Sequence, residues 1–143
     1  MRKQKAVARW TGSKVKFEIE AGTGHRGVFL DEHPPLGDDG GMRPTEMLLG
    51  ALGSCTGINA VLLLKKFKQP FKSLAVAVEG EQQEDWPHAF TSIDITFDIA
   101  WTADFDKELA DKALDLACNR YCPIDATLTE GTKITHRRKD SRA

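Results

Sequence analysis

The chain has 143 residues, 41% of them hydrophobic and 29% charged, with a net charge of −1. That length and balance suit one domain over residues 1–143 with a real core, of ordinary soluble globular composition. A near-neutral body gives no global field for nucleic acid or anionic lipid, so neither is an expected partner.

Met1-Arg-Lys-Gln-Lys5 is basic but no apolar stretch follows it, so no signal peptide is expected. Three cysteines are too few for a secreted disulfide framework. The expected compartment is the cytoplasm, where packing, metal binding or reactivity must explain a cysteine. The basic run His136-Arg-Arg-Lys-Asp-Ser-Arg142 reads as a solvated tail.

In chain order, Val7 to Trp10 and Val15 to Ile19 are β-like runs joined by a turn at Thr11-Gly12-Ser13-Lys14, and "HRGVFLDE" reads as a third strand. The loop "HPPLGDDGGMRP" carries the breakers Pro34, Pro35, Gly37, Gly40 and Gly41. Pro44 then suits the first turn of a helix, and Glu46 complements its positive end. This helix runs to about Phe67, where Gln69-Pro70 stops it. Two strands follow, "SLAVAVEGEQQ" and "TSIDITFDIAW", with "EDWPHAF" as their turn. Strict alternation in the second, Ile93, Ile95, Phe97 and Ile99, predicts one buried and one wet face, as in an antiparallel sheet. "DFDKELADKALDLACNRYC" predicts a second, amphipathic helix with Leu109, Ala113, Leu116, Ala117 and Cys118 inward. A short segment, "PIDATL", leads to a last strand from Thr132 to Thr135. The pattern is α+β, that of a meander-like antiparallel sheet with two main helices.

The first helix has no charge from Met47 to Leu64, long enough to test as a membrane span. Ser54, Thr56, Asn59 and three glycines dilute it, and the rest of the chain is polar enough for water. A helix apolar almost all round is then a long central buried helix, and in so small a chain its full burial calls for a partner subunit. Gly50, Gly53 and Gly57 share one stripe, which predicts close approach of another backbone. Cys55 lies on a different face with Leu48, Leu52, Asn59 and Leu62, and taken alone reads as a small buried hydrophobe. Cys122, just before Pro123, sits at a helix junction, where thiols are more accessible and more readily tuned. Cys118 competes as its partner but lines up with the apolar face of its helix. The scattered His25, His33, His88 and His136 have no metal-ligand spacing, so no metal is expected.

"RPTEMLLGALGSCTGINAVLLL" followed by "YCPIDATL" resembles the OsmC/Ohr family of osmotically inducible and organic-hydroperoxide-resistance proteins, closer to its OsmC-like branch. The resemblance covers essentially the whole chain. It implies an intertwined homodimer with two interfacial sites, Cys55 as peroxidatic thiolate and Cys122 as resolving thiol. It also implies a small organic hydroperoxide or apolar ligand, an external dithiol reductant, and no metal or organic cofactor. In the hydroperoxide branch an arginine of the N-terminal hairpin, tied to a glutamate directly after the proline, supports the thiolate. Here Thr45 follows Pro44 and Glu46 comes one later, about 100° round the helix. The hairpin offers Lys14, and Arg26 or Arg43 could substitute. Arg43, in the loop entering the helix, is the candidate taken, with Glu46 beside it.

Overall fold

The structure is a computed structural model that describes all residues, Met1–Ala143. It divides into two compact units, Met1–Leu48 and Leu49–Ala143. In the first, β1 (Ala6–Trp10), β2 (Phe17–Ala21) and β3 (Val28–Leu30) form an antiparallel sheet in that order. Gly12 and Gly24 adopt positive φ in its two turns, a region costly for a side chain. The second strand starts later than its apolar run predicts, because Lys16 N–H bonds Ser13 C=O and extends the turn.

The loop after β3 is tied together by one carboxylate. Asp31 is buried and accepts backbone N–H bonds from Glu32, Asp38 and Gly40 at 2.8, 3.3 and 2.9 Å. The donors from Gly40 and then Glu32 pull its carboxyl below the usual range. Helix α1 (Pro44–Lys66) follows, with Pro44 at its start as the sequence predicts.

In the second unit, β4 (Phe71–Gln82) and β5 (Phe90–Trp101) pair antiparallel along nearly their whole length. Next come α2 (Lys107–Asp115), a π-helical turn (Leu116–Arg120), α3 (Pro123–Leu128) and β6 (Lys133–Arg142). The inward residues of β5, Ile93, Ile95, Phe97, Ile99 and Trp101, are fully or almost fully buried. They pack in one core with Leu52, Ala60 and Leu64 of α1 and Ala110, Ala113 and Leu114 of α2.

Three expectations need correction, and one segment left without a conformation takes a definite one. The second sheet is mixed, since β6 pairs parallel to β5 from Ser92↔Lys133 to Trp101↔Arg142. The intervening helices supply the long crossover that a parallel pair needs. The basic C-terminal run is therefore strand, not tail: Arg138 points inward, bonded to Asp140 at 2.8 Å and to Asp111. The predicted second helix is not one helix, because its last turn widens to π before Cys122. "PIDATL" is helical, with Cys122 as its N-cap and Pro123 at its first position.

Helix α1 is buried on one face only within the chain, because β4–β6 and α2 supply apolar surface for that face alone. Leu52, Gly53, Thr56, Gly57, Ala60 and Leu64 are buried, whereas Ile58 and Leu62 are each 62% exposed. By length and composition it could cross a membrane. Here it lies against β4, where Gly53 and Gly57 let it come close. A Cβ on Gly53 would stand 3.0 Å from Val78 Cγ2 and 3.7 Å from the Val76 carbonyl oxygen, and one on Gly57 3.1 Å from Val76 Cγ2. Gly50 meets nothing within 4 Å, so only two of the three glycines serve the approach.

Candidate active site: a thiol pair between α1 and α3

Cys55 sits midway along α1, half-buried against the core. Cys122 lies where the π turn ends and α3 begins, 3% exposed. Its backbone is extended there (φ −93°, ψ 108°), which swings the side chain out of the helical path. The Cys122 S–H donates to Cys55 Sγ across 2.9 Å. Both are free thiols at that distance, and a small closure would join them in a bond of about 2.05 Å.

Cys122 Sγ also accepts the Asp125 backbone N–H at 3.3 Å, replacing the hydroxyl or carboxylate of an ordinary N-cap. Burial, followed by the hydrogen bond to Cys55, pushes the Cys122 thiol up to about 11 from an ordinary 9.0. The Asp125 N–H works against that rise. Cys122 thus holds its proton at neutral pH. Cys118, in the π turn, is 1% exposed and burial pushes its thiol up to about 12, with the Asp125 charge adding to the effect. That is the state of an inert core thiol, as its helical face predicts. Asp125 itself is buried and its carboxyl is raised by desolvation, partly offset by His136. No cluster of three or more His, Cys, Asp or Glu side chains has metal-binding geometry.

Arg43 and Glu46 belong to the first unit. Glu46 Oε1 accepts the Arg43 backbone N–H at 2.8 Å, the return bond of a capping box at the start of α1. The Arg43 guanidinium engages Asp39 Oδ1 at 2.7 Å and the Gly41 carbonyl at 3.2 Å, donates to His33 Nδ1 at 3.2 Å, and stands 3.7 Å from Glu32. Asp39, through hydrogen bonding, raises the guanidinium pKa further. Lys14 is paired with Asp38 at 2.6 Å, and Arg26 with Glu18 at 2.9 Å.

One residue beside the pair escaped the sequence reading as anything but a member of the Cys55 face. Asn59, one turn beyond Cys55, donates from Nδ2 to the Ala117 carbonyl at 3.3 Å. Its spacing of four from Cys55 was the available signal. Asp125 was missed altogether, since a carboxylate dispersed among others along the chain reads as solvated surface.

Along the exposed side of α1 runs an open apolar groove of about 510 Å³, lined by residues that include Gly57, Ile58, Leu62, Leu74 and Val76.

Fold and site together define an α+β protein with a two-cysteine centre, one thiol on a long helix and the other at a helix junction. The family model described as OsmC-like protein matches residues 37–137. Protein YhfA of Escherichia coli strain K12 is 31% identical over 131 residues, spanning 92% of this chain and 93% of that protein. The chain therefore belongs to the OsmC-like family. Among solved structures, an OsmC-like protein from Mycoplasma pneumoniae superposes with a TM-score of 0.81 at 18% identity, covering 99% of each chain. An organic hydroperoxide resistance protein OsmC from Legionella pneumophila gives 0.70 at 13% identity, over 97% of this chain and 98% of that one. At those identities the likeness is one of fold.

Proposed function

We propose that this protein is a thiol-dependent peroxidase that reduces organic hydroperoxides to alcohols through Cys55 and Cys122. The observation that carries the reading is the 2.9 Å approach of the two sulfurs, one of which keeps its proton. Cys55, as thiolate, attacks the distal oxygen of the O–O bond. The bond breaks, the alkoxide leaves and takes a proton as alcohol, and Cys55 becomes a sulfenic acid. Cys122 then attacks the Cys55 sulfur. Its proton and the sulfenic hydroxyl leave as water, and a Cys55–Cys122 disulfide remains. An external dithiol restores both thiols by exchange, supplying the two electrons that reduced the peroxide. No metal or organic cofactor enters any step.

The high value for Cys122 suits the division of labour. A protonated resolving thiol does not compete for peroxide, yet stands in contact with the sulfur it must attack. Leu52 and the apolar core around Cys55 favour an alkyl hydroperoxide over hydrogen peroxide. Replacing Cys55 by serine should abolish dithiol-dependent turnover of cumene hydroperoxide, and retention of a substantial part would contradict the assignment.

A second reading is favoured by one observation. The Arg43 guanidinium is already engaged by Asp39 and Glu32, and Glu46 is spent on the helix cap. In this reading the groove along α1 holds a small apolar ligand and the cysteines sense redox state without efficient turnover. A Cys55 thiol titrating at or above about 8.5 would favour it.

A further inference from the structure

Between Asp115 and Cys122 the chain leaves its α-helical path twice. The α2 helix first widens to a π turn, in which Tyr121 N–H reaches back to the Leu116 carbonyl at 3.1 Å. The next bond in that series would join Cys122 N–H to the Ala117 carbonyl. Cys122 is extended instead, so the series ends one carbonyl early. A carbonyl left at a helix end inside a protein needs another donor. The donor is Asn59, whose amide meets Ala117 O at 3.3 Å. Only the NH2 end of an amide can pair with a carbonyl, which fixes its orientation.

Cys55 and Asn59 are thus two points, one helical turn apart on α1, that touch the same short segment. Cys55 touches it at the Cys122 sulfur and Asn59 at the Ala117 backbone. The Asp125 N–H holds the sulfur on the α3 side, and the Asn59 amide adds a directional bond from α1 to the π turn, beside the apolar packing of Ala117 and Cys118 in the shared core. We infer that Asn59 is a positioning residue for disulfide closure: its bond to Ala117 sets the π turn so that Cys122 meets Cys55. This deepens, and rests on, the proposed roles of the two cysteines. It concerns the second step only, since Asn59 donates to neither sulfur.

The test uses the full-length protein and an oxidant other than peroxide. Cystamine, a small disulfide, is attacked by Cys55 and releases one cysteamine, leaving a mixed disulfide. Cys122 then attacks the Cys55 sulfur and releases the second cysteamine, so both electrons pass from the cysteines to cystamine. The two steps are followed by quenching and intact mass. In Asn59→Leu, close in shape but without a donor, closure should slow about tenfold, the range for stranding one buried polar group. The first step should stay within twofold. Asn59→Ala should behave likewise and serves if the leucine variant folds poorly. Unchanged closure in both variants would overturn the inference. So would equal slowing of both steps, which marks a general structural role. If the wild type closes with cystamine but not with cumene hydroperoxide, the peroxidase reading fails while the role of Asn59 stands.

Discussion

Cys122 is pulled in opposite directions by its neighbours. Burial and the Cys55 sulfur favour its thiol form, while the Asp125 and Ile124 backbone N–H groups favour the thiolate. The first pair wins, leaving the thiol at about 11. Closure of the disulfide needs that proton to leave, and the thiolate fraction grows tenfold per pH unit below the pKa. The closure rate should therefore climb throughout pH 7 to 9, approaching tenfold per unit, when followed by rapid quench and mass analysis. A rate already levelling off by pH 9 would mean that an ordinary thiol is attacking. At this scale the sequence was informative about the cysteines and silent about their surroundings. Cys55 and Cys122 stand in short, distinctive strings, and their meeting follows from a resemblance. Asn59 acts on a backbone carbonyl, which every residue possesses, so no side-chain pattern could reveal its partner. Asp125 folds under because Cys122-Pro123 starts a helix, and a helical turn places its N–H on the sulfur.

Among the elements, those with strong periodicity were legible. The alternation in β5 describes a side-chain pattern that the structure buries as expected, whereas in α2 the buried stripe is turned by one position, onto Ala110, Ala113 and Leu114, leaving Leu109 at its edge. Periodicity states which face is buried, not which strand lies alongside or in which direction. That is why the parallel β5–β6 pairing was out of reach. In β6, Ile134, His136 and Arg138 do alternate inward, but two of the three carry polar heads and the run reads as a tail. The short α3 had its signal, a proline at the first helical position, hidden by its use as a breaker. For α1 the glycine stripe predicted a close approach, and β4 is what approaches. Gly57→Leu should push α1 from Val76 and destabilise the protein by roughly 1–3 kcal/mol, the usual cost of overpacking. Gly50→Ala, with open space around it, should instead stabilise by about 0.5–1 kcal/mol through helix propensity. Urea unfolding of both variants measures the difference, and equal effects would contradict this packing of the helix.

For the molecule as a whole, the unsatisfied feature is the outer side of α1. Ile58 and Leu62 lie one turn apart, both largely exposed, beside the apolar groove. Apolar surface of this kind is where proteins take up a partner, a membrane or a ligand. A second copy of the chain is the proposed cover, in line with the partner that an all-apolar helix calls for. Ile58→Glu together with Leu62→Glu should convert a dimer into monomer by sedimentation or light scattering. A wild-type protein that is already monomeric at micromolar concentration would remove the proposal.

The central claim is that Cys55 and Cys122 form one redox pair, and a single mapping experiment tests it. The reduced protein is treated with one equivalent of cumene hydroperoxide, and its peptides are analysed by non-reducing mass spectrometry. A Cys55–Cys122 link should appear rapidly in the wild type and be absent from Cys55→Ser, with Cys118 left free in both. Three thiols still free after several minutes would contradict the claim and leave the groove along α1 as a ligand site.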